Sequence, residues 1–225
     1  MKIHSIFDSI SGEGGFIPQG SWCTFIRFQQ CNLKCRWCDT VSAQDKKGGK
    51  DLSVDEIVEQ ISSKRIIITG GEPLLQMESF LGLIIRLLDL KKIVQVETNG
   101  SYIPPFGMVG AMTQYVSWVV DYKCPSSGMS MHMSPVPQFT KKWRTLPAIV
   151  KFVVDFDSEC DLSFAIESME GMLANAYNQY FLISPLDAKG QKIQNIVSEI
   201  TMRGKASLLD RIVFSVQLHK IVNLP

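Results

Sequence analysis

Three cysteines fall within eight residues, in the run Cys31-Asn32-Leu33-Lys34-Cys35-Arg36-Trp37-Cys38. The spacing is C-x3-C-x2-C. Three thiolates on one short loop can ligate three irons of a 4Fe–4S cluster and leave the fourth iron without a protein ligand. An open iron can be chelated by the amino and carboxylate groups of a small molecule, and one electron from the cluster can then break a bond in it. In such sites the cofactors carry the radical chemistry and the protein orients it. Two plainer readings compete. Buried structural thiols rarely cluster so tightly in a loop, and zinc would need a fourth ligand such as His4 or Cys23. The remaining cysteines, Cys23, Cys124 and Cys160, are scattered, and a tight cluster without a secretory signal points to metal before a disulfide framework.

The elements around this loop alternate. Trp22–Phe28 reads as a strand leading straight into the cysteines. Ser53-Val54-Asp55-Glu56 is a capping box that opens a helix with apolar Ile57, Val58 and Ile61. Residues 65–69, Arg-Ile-Ile-Ile-Thr, form a continuous β-branched run of the kind buried in parallel sheets. A helix is expected over 76–90, and strands over 93–97, 118–122, 148–154, 180–183 and 211–216. Further helices are expected at about 158–176 and 189–203. Strands alternating with helices imply βαβ crossovers. The fold class is therefore α/β, a partial or modified (β/α) barrel with about six parallel strands and contracted from the full eightfold form. Residues 39–52 and 123–138 are the least regular. The second stretch, with Met129, Met131 and Met133, is either a plain surface loop or one lying over a barrel mouth.

Composition bounds the rest. The chain has 225 residues, 45% hydrophobic and 20% charged, with formal net charge +1. It can bury a real core, and residues 1–225 are expected to form a single domain. A near-neutral chain offers no broad basic field, so nucleic acid is not an expected partner. No apolar run reaches the ~18 residues of a membrane span. Met1 to Ile6 lacks the apolar stretch of a signal peptide, so a cytoplasmic location is expected.

C-x3-C-x2-C with an aromatic, Trp37, before the last cysteine resembles the hallmark of the radical S-adenosylmethionine (SAM) superfamily. Thr69-Gly70-Gly71-Glu72-Pro73, ending the second expected strand, resembles its Gly-Gly-Glu-Pro motif, which holds the methionine amino group of SAM. Glycines there permit close backbone approach, and Glu72 can pair with an ammonium. Along its whole length the chain more closely resembles one family within it, the 7-carboxy-7-deazaguanine synthases. The resemblance rests on Ser11-Gly12-Glu13-Gly14, where the family usually has Gln-Gly-Glu-Gly, on Phe25-Ile26-Arg27 and on Cys38-Asp39-Thr40. It also rests on Glu97-Thr98-Asn99-Gly100 and on Gln217-x-His219-Lys220 near Pro225. It implies a carbon–nitrogen lyase of the queuosine and deazapurine pathways. That enzyme would turn 6-carboxy-5,6,7,8-tetrahydropterin into 7-carboxy-7-deazaguanine and ammonia, with a hydrogen taken from C6 and later returned so that SAM is regenerated. It also implies Mg2+, an electron donor such as flavodoxin, and a homodimer.

By the same resemblance Thr40 is a Mg2+ ligand; on residues alone it is a turn hydroxyl. Ser11, Gly12 and Glu13 would meet the pterin, Glu13 accepting from its amino edge, and Arg27 would hold a carboxylate from the barrel mouth. A solvated turn glutamate and a surface ion pair are the plain alternatives. Thr98, His219 and the terminal carboxylate of Pro225 complete the expected substrate contacts. Trp37, Gly71, Glu72, Gly100, Lys123, Ser126 and Ser184 are expected to contact SAM. Thr98 and Gly100 fit a helix cap and turn equally well, and Ser184 is shorter than the glutamine often found there. Two rival functions remain: a glycyl-radical-enzyme activase, which would consume SAM, and a non-catalytic zinc or iron–sulfur module.

Overall fold

The computed structural model describes residues 1–104, 115–158, 160–187, 191–222 and 224, without the side chains of residues 191, 192, 219 and 220. Nine strands among these residues form one sheet: β1 (Lys2–Ile10), β2 (Trp22–Phe28), β3 (Lys50–Asp51), β4 (Arg65–Gly70), β5 (Ile93–Thr98), β6 (Val116–Asp121), β7 (Ala148–Val154), β8 (Phe181–Pro185) and β9 (Ile212–Phe214). The order is β3-β1-β2-β4-β5-β6-β7-β8-β9. From β2 onward every pairing is parallel, whereas β1 pairs antiparallel with both β2 and β3. The parallel part thus has seven strands, one more than about six. The sequence reading starts the sheet at Trp22 and does not include β1. Its Lys2–Ile10 run mixes apolar and polar side chains on both faces, so no period of two marks it.

Helices α1 (Val54–Val58), α2 (Met77–Asp89), α3 (Val136–Trp143), α4 (Asp161–Ala174), α5 (Gln191–Met202) and α6 (Leu218–Ile221) follow the strands. Ser53 caps α1: its Oγ accepts from Glu56 N–H at 3.2 Å, and Glu56 Oε2 accepts from Ser53 N–H at 2.7 Å. In α2, Phe80, Leu83, Ile84 and Leu87 are buried at i, i+3, i+4 and i+7, the stripe an amphipathic helix turns to a core. Helix α3 begins inside the stretch read as irregular. Pro135 caps it and Pro137 lies in its first turn, where a missing N–H costs nothing. Among the described residues, no helix is long and apolar enough to cross a membrane.

The pleat divides each parallel strand between two environments. Ile26 and Phe28, Ile66 and Ile68, Val94 and Val96, Trp118 and Val120, and Val150 and Phe152 join one large core with the helices. The alternate residues face inward. Their lower layer is apolar: Cys23, Phe25 and Ile67 pack on Ile17 of the 11–21 loop, and Val119, Ile149 and Leu182 pack together. Toward the C-terminal strand ends the inner face turns polar, with Arg27, Thr69, Glu97, Asp121 and Lys151 around one cavity.

Candidate active site

The cysteine loop leaves β2 and lies on the segment after β6. Arg36 N–H donates to Ser127 O at 3.0 Å and Lys34 N–H points at Met129 Sδ at 3.4 Å. Trp37 Nε1 donates to Ser126 Oγ at 3.0 Å, and Lys123 Nζ sits over the Trp37 ring, 5.5 Å from its centroid. The irregular 123–138 stretch therefore seats the cysteine loop and is more than a surface connection. Cys31, Cys35 and Cys38 are free thiols that all line the cavity. Burial pushes the Cys31 and Cys35 thiols above their ordinary range. Leu33 N–H and Asn99 Nδ2 approach Cys31 Sγ at 3.4 and 3.8 Å. Unpaired thiols sharing one cavity wall, with N–H donors at a sulfur, suit an iron–sulfur cluster, whose irons take up the thiolate form.

The loops after β2, β4 and β5 are stitched to one another. Gly70 has φ +128°, and a Cβ there would stand 2.3 Å from Phe28 backbone atoms; at Gly71 it would stand 2.1 Å from Gln30 O. Only glycines allow this approach. It lets Gly71 N–H donate to Phe28 O at 2.9 Å and Glu72 N–H to Gln30 O at 2.8 Å. Glu72 is fully buried and does not line the cavity. Its carboxyl accepts from Leu74 N–H at 3.0 Å, Asn99 N–H at 2.7 Å and Thr98 Oγ1 at 2.8 Å. Burial pushes Glu72 up to about 7 against the pull of these donors. In this arrangement Glu72 braces two strand-end loops, and the Thr98 hydroxyl is turned to it.

The charged layer is compact. Lys151 forms ion pairs with Glu13 and, at 3.6 Å, with Asp121; Lys123 pairs with Asp121 at 2.5 Å. Both lysines are buried. The two ammonium groups hold Asp121 below the usual carboxylate range, although burial alone pushes it up. Asp121, Glu13 and Glu97 raise Lys151 well above its ordinary value despite burial. Glu97 accepts from Thr69 Oγ1 at 3.0 Å, and burial raises it to about 7, opposed mainly by Lys151. Arg27 stacks over Phe7, 5.1 Å from the ring centroid. The layer is a preorganised set of largely buried charges, whose fields are stronger there than in bulk water.

The N-terminal loop meets the end of the chain below this layer. Leu218 N–H donates to Gly12 O at 2.8 Å and Gly14 N–H to Ser215 Oγ at 2.9 Å. The Ser11 hydroxyl is turned to Glu13 O at 2.8 Å.

Of the residues singled out in the sequence, Gly12, Glu13, Arg27, the three cysteines, Trp37, Thr40, Gly71, Thr98 and Lys123 line one cavity. Ser11, Glu72, Gly100, Ser126 and Ser184 stand behind its lining. Ser126 binds Asp161 through both its N–H and its hydroxyl, at 2.9 and 2.5 Å. Ser184, the last residue but one of β8, is fully buried, its hydroxyl without a partner among the described residues. The backbone of His219 lies in α6, but its side chain and the whole of Pro225 lie outside the described residues. The sequence reading assigned no task to Lys151, Glu97, Asp121, Asn99 or Gln217. Lys151 carried a signal: it is the only charged residue in the strand Ala148–Val154, and lysine is almost never buried unpaired.

Comparison with known proteins bears on the same features. The Radical SAM superfamily model matches residues 25–109. A 7-carboxy-7-deazaguanine synthase of Methanospirillum hungatei JF-1 is 34% identical over 228 residues, covering 100% of this chain and 86% of that one. A protein of the same name from Clostridium acetobutylicum is 32% identical over 232 residues, covering 98% and 95%. The crystal structure of QueE from Escherichia coli matches with a TM-score of 0.63 at 19% identity, covering 96% of this chain and 93% of that one, a likeness of fold.

Proposed function

The chain belongs to the 7-carboxy-7-deazaguanine synthase family, and from that premise we propose how its residues divide the work. It is a radical SAM enzyme of deazapurine biosynthesis that uses a 4Fe–4S cluster and SAM on a small-molecule substrate. The reaction is conversion of 6-carboxy-5,6,7,8-tetrahydropterin to 7-carboxy-7-deazaguanine with release of ammonia. Cys31, Cys35 and Cys38 hold the cluster. When bound, cluster and SAM supply the one-electron chemistry that removes a hydrogen from the substrate.

The protein's own part is to bind, orient and balance charge. Arg27 takes the substrate carboxylate by a two-pronged contact, held flat by Phe7. Glu13 accepts from the pterin's amino edge, with Gly12 and Ser11 shaping the turn. Lys151 pairs with Glu13 and holds it in place, and Lys123 lends a positive charge beside Trp37 and Cys35. Thr40 is the Mg2+ ligand: its hydroxyl donates to Asp39 Oδ1 at 3.0 Å, which leaves its lone pairs for a cation. Thr98, His219 and Pro225 complete the substrate set. Trp37, Gly71, Glu72, Gly100, Lys123, Ser126 and Ser184 form the SAM set, in which Glu72, Ser126 and Ser184 act by positioning the cavity wall. A homodimer, a flavodoxin-like electron donor, a cytoplasmic location and a single domain over residues 1–225 complete the reading.

The observation that carries this reading is that the three cluster cysteines and the Glu13–Lys151–Asp121 layer open on the same cavity. It is tested anaerobically with reconstituted cluster, dithionite, SAM, Mg2+ and 6-carboxy-5,6,7,8-tetrahydropterin. The expected result is 7-carboxy-7-deazaguanine by mass spectrometry with SAM undiminished. SAM cleavage without that product would remove the pterin and keep the superfamily chemistry.

A further inference from the structure

One side chain at the seam between the N-terminal loop and the end of the chain has an atom with nothing to do. Gln217 is 5% exposed and lines the cavity. Its Nε2 donates to Glu13 Oε1 at 3.2 Å, across a sequence separation of 204 residues. An ionised carboxylate only accepts, so the amide atom facing it must be the NH2 group, and the orientation of the amide is fixed by chemistry. Its carbonyl oxygen is left buried, without a hydrogen-bond partner among the described residues. Buried acceptors in folded proteins are normally satisfied, so an orphan in a cavity wall asks for a donor from the occupant. Several donors of the same seam, among the described residues, are engaged elsewhere. The Ser11 hydroxyl is on Glu13 O, Gly14 N–H on Ser215 Oγ, Leu218 N–H on Gly12 O and the Gln19 amide on Gly12 O and Val216 O.

We propose that Gln217 is a specificity-determining residue whose carbonyl oxygen accepts an N–H from the substrate's aminopyrimidine edge, next to Glu13. The proposal rests on the reading that the cavity takes a pterin. Glu13, gripped by Lys151 and by the Gln217 NH2, still has lone pairs to offer, since a carboxylate has about four acceptor sites. A ring amide next to an exocyclic amino group presents several N–H donors on one edge. Two adjacent acceptors match that edge, and a compound lacking the amino group would leave one of them empty.

The test uses cluster-loaded enzyme with SAM and Mg2+, on 6-carboxy-5,6,7,8-tetrahydropterin and on its analogue with hydrogen in place of the 2-amino group. Wild type should prefer the amino compound in kcat/KM. Gln217→Leu should lose about tenfold or more on it, mainly in KM, and little on the analogue, so that the preference collapses. Gln217→Met, unbranched and close in length, serves the same purpose if the leucine variant does not fold. Iron content and substrate-free SAM cleavage should equal wild type in both. A second measurement separates contact from support of Glu13: pterin Kd by titration calorimetry in a Glu13→Ala background. There Gln217→Leu should still weaken binding several-fold; no further loss would mean that Gln217 acts only through Glu13 and would overturn the proposal. Equal losses on both compounds, or unchanged kinetics, would overturn it as well. Wild type that turns over neither compound would overturn the pterin reading and this inference together, whereas a failure confined to the variants leaves that reading standing.

Discussion

The two faces of the same strands have opposite work. On the helix side, Ile68, Val96, Val120 and Val150 continue an unbroken apolar core. One residue away along each strand, Thr69, Glu97, Asp121 and Lys151 face the cavity. The difference shows how a parallel sheet reconciles stability with reactivity: burial on the outer face holds the strands in register, and that register fixes the spacing of charges on the inner face. The Asp121↔Lys151 pairing is a register fact before it is an ion pair. If the division is real, substitutions on the inner face should remove chemistry with little loss of fold, and those on the outer face should do the reverse.

The sharpest break is Cys35→Ala. Two thiolates cannot hold the cluster that three hold, so iron content and turnover should both vanish while the far-ultraviolet circular dichroism of the apoprotein stays that of wild type. Turnover retained by this variant would refute the cluster assignment.

On the outer face, Phe80 of α2 is 1% exposed, with ring centroids 6.3 Å from Phe28 and 6.1 Å from Trp118. Phe80→Ala should cost about 3–5 kcal/mol of stability, the range for a large aromatic removed from a packed core. Product formed per cluster-loaded, folded molecule should stay within about twofold at low temperature. A large fall in specific turnover with unchanged stability would mean that the two faces are not separable.

On the inner face, Lys151→Met removes the ammonium that Glu13 shares, while Asp121 keeps Lys123. Glu13 is then left half-buried near Glu97 without its ion-pair partner. Turnover should fall on the order of 100-fold, about 2.7 kcal/mol of transition-state stabilisation. Cluster content and substrate-free SAM cleavage should be unaffected. Lys151→Arg should recover part of the loss. An Arg variant as poor as Met, or SAM cleavage lost along with turnover, would mean that Lys151 supports the fold or the cluster instead.

Legibility in the sequence follows the same divide. The outer face could be read because its physics is local. The β-branched run Ile66-Ile67-Ile68, the Ser53/Glu56 cap and the α2 stripe each declare themselves within a few residues. The cysteine loop could be read because three ligands of one cluster sit on one loop. The inner face could be read only through resemblance. Lys151 is a lone charge in an apolar strand, which by itself names no partner: Glu13 comes from the far end of the chain, and Gln217 reaches Glu13 from the other end. No periodicity carries such pairings; they exist only once the sheet has brought its two ends together. The same holds for Glu72. Its motif suggests a ligand carboxylate, whereas the fold surrounds it with Leu74, Thr98 and Asn99 donors: the two glycines before it draw the loops after β2 and β4 together, and Glu72 itself ties in the loop after β5.

The smallest expected effect tests whether inner-face charge carries a stability cost. Glu97 is raised from 4.5 to about 7, so between these values the folded state holds a proton that the unfolded chain releases. Stability contributed by such a group is greatest below pH 4.5 and declines as pH rises to about 7, where the carboxyl is ionised in both states. Glu97→Gln removes that decline. The difference in unfolding free energy, wild type minus variant, should therefore fall by about 1 kcal/mol from pH 4.5 to 7, less than the full shift implies because Glu97 is only partly buried and lines the cavity. Anaerobic urea titrations at a series of pH values read this difference directly, and Glu72, unchanged in both proteins, cancels. A difference that stays flat would mean Glu97 titrates as in an open chain, with Lys151 fully offsetting its burial. The charged layer would then be neutral in stability, and the contrast between the two faces would lie in chemistry alone.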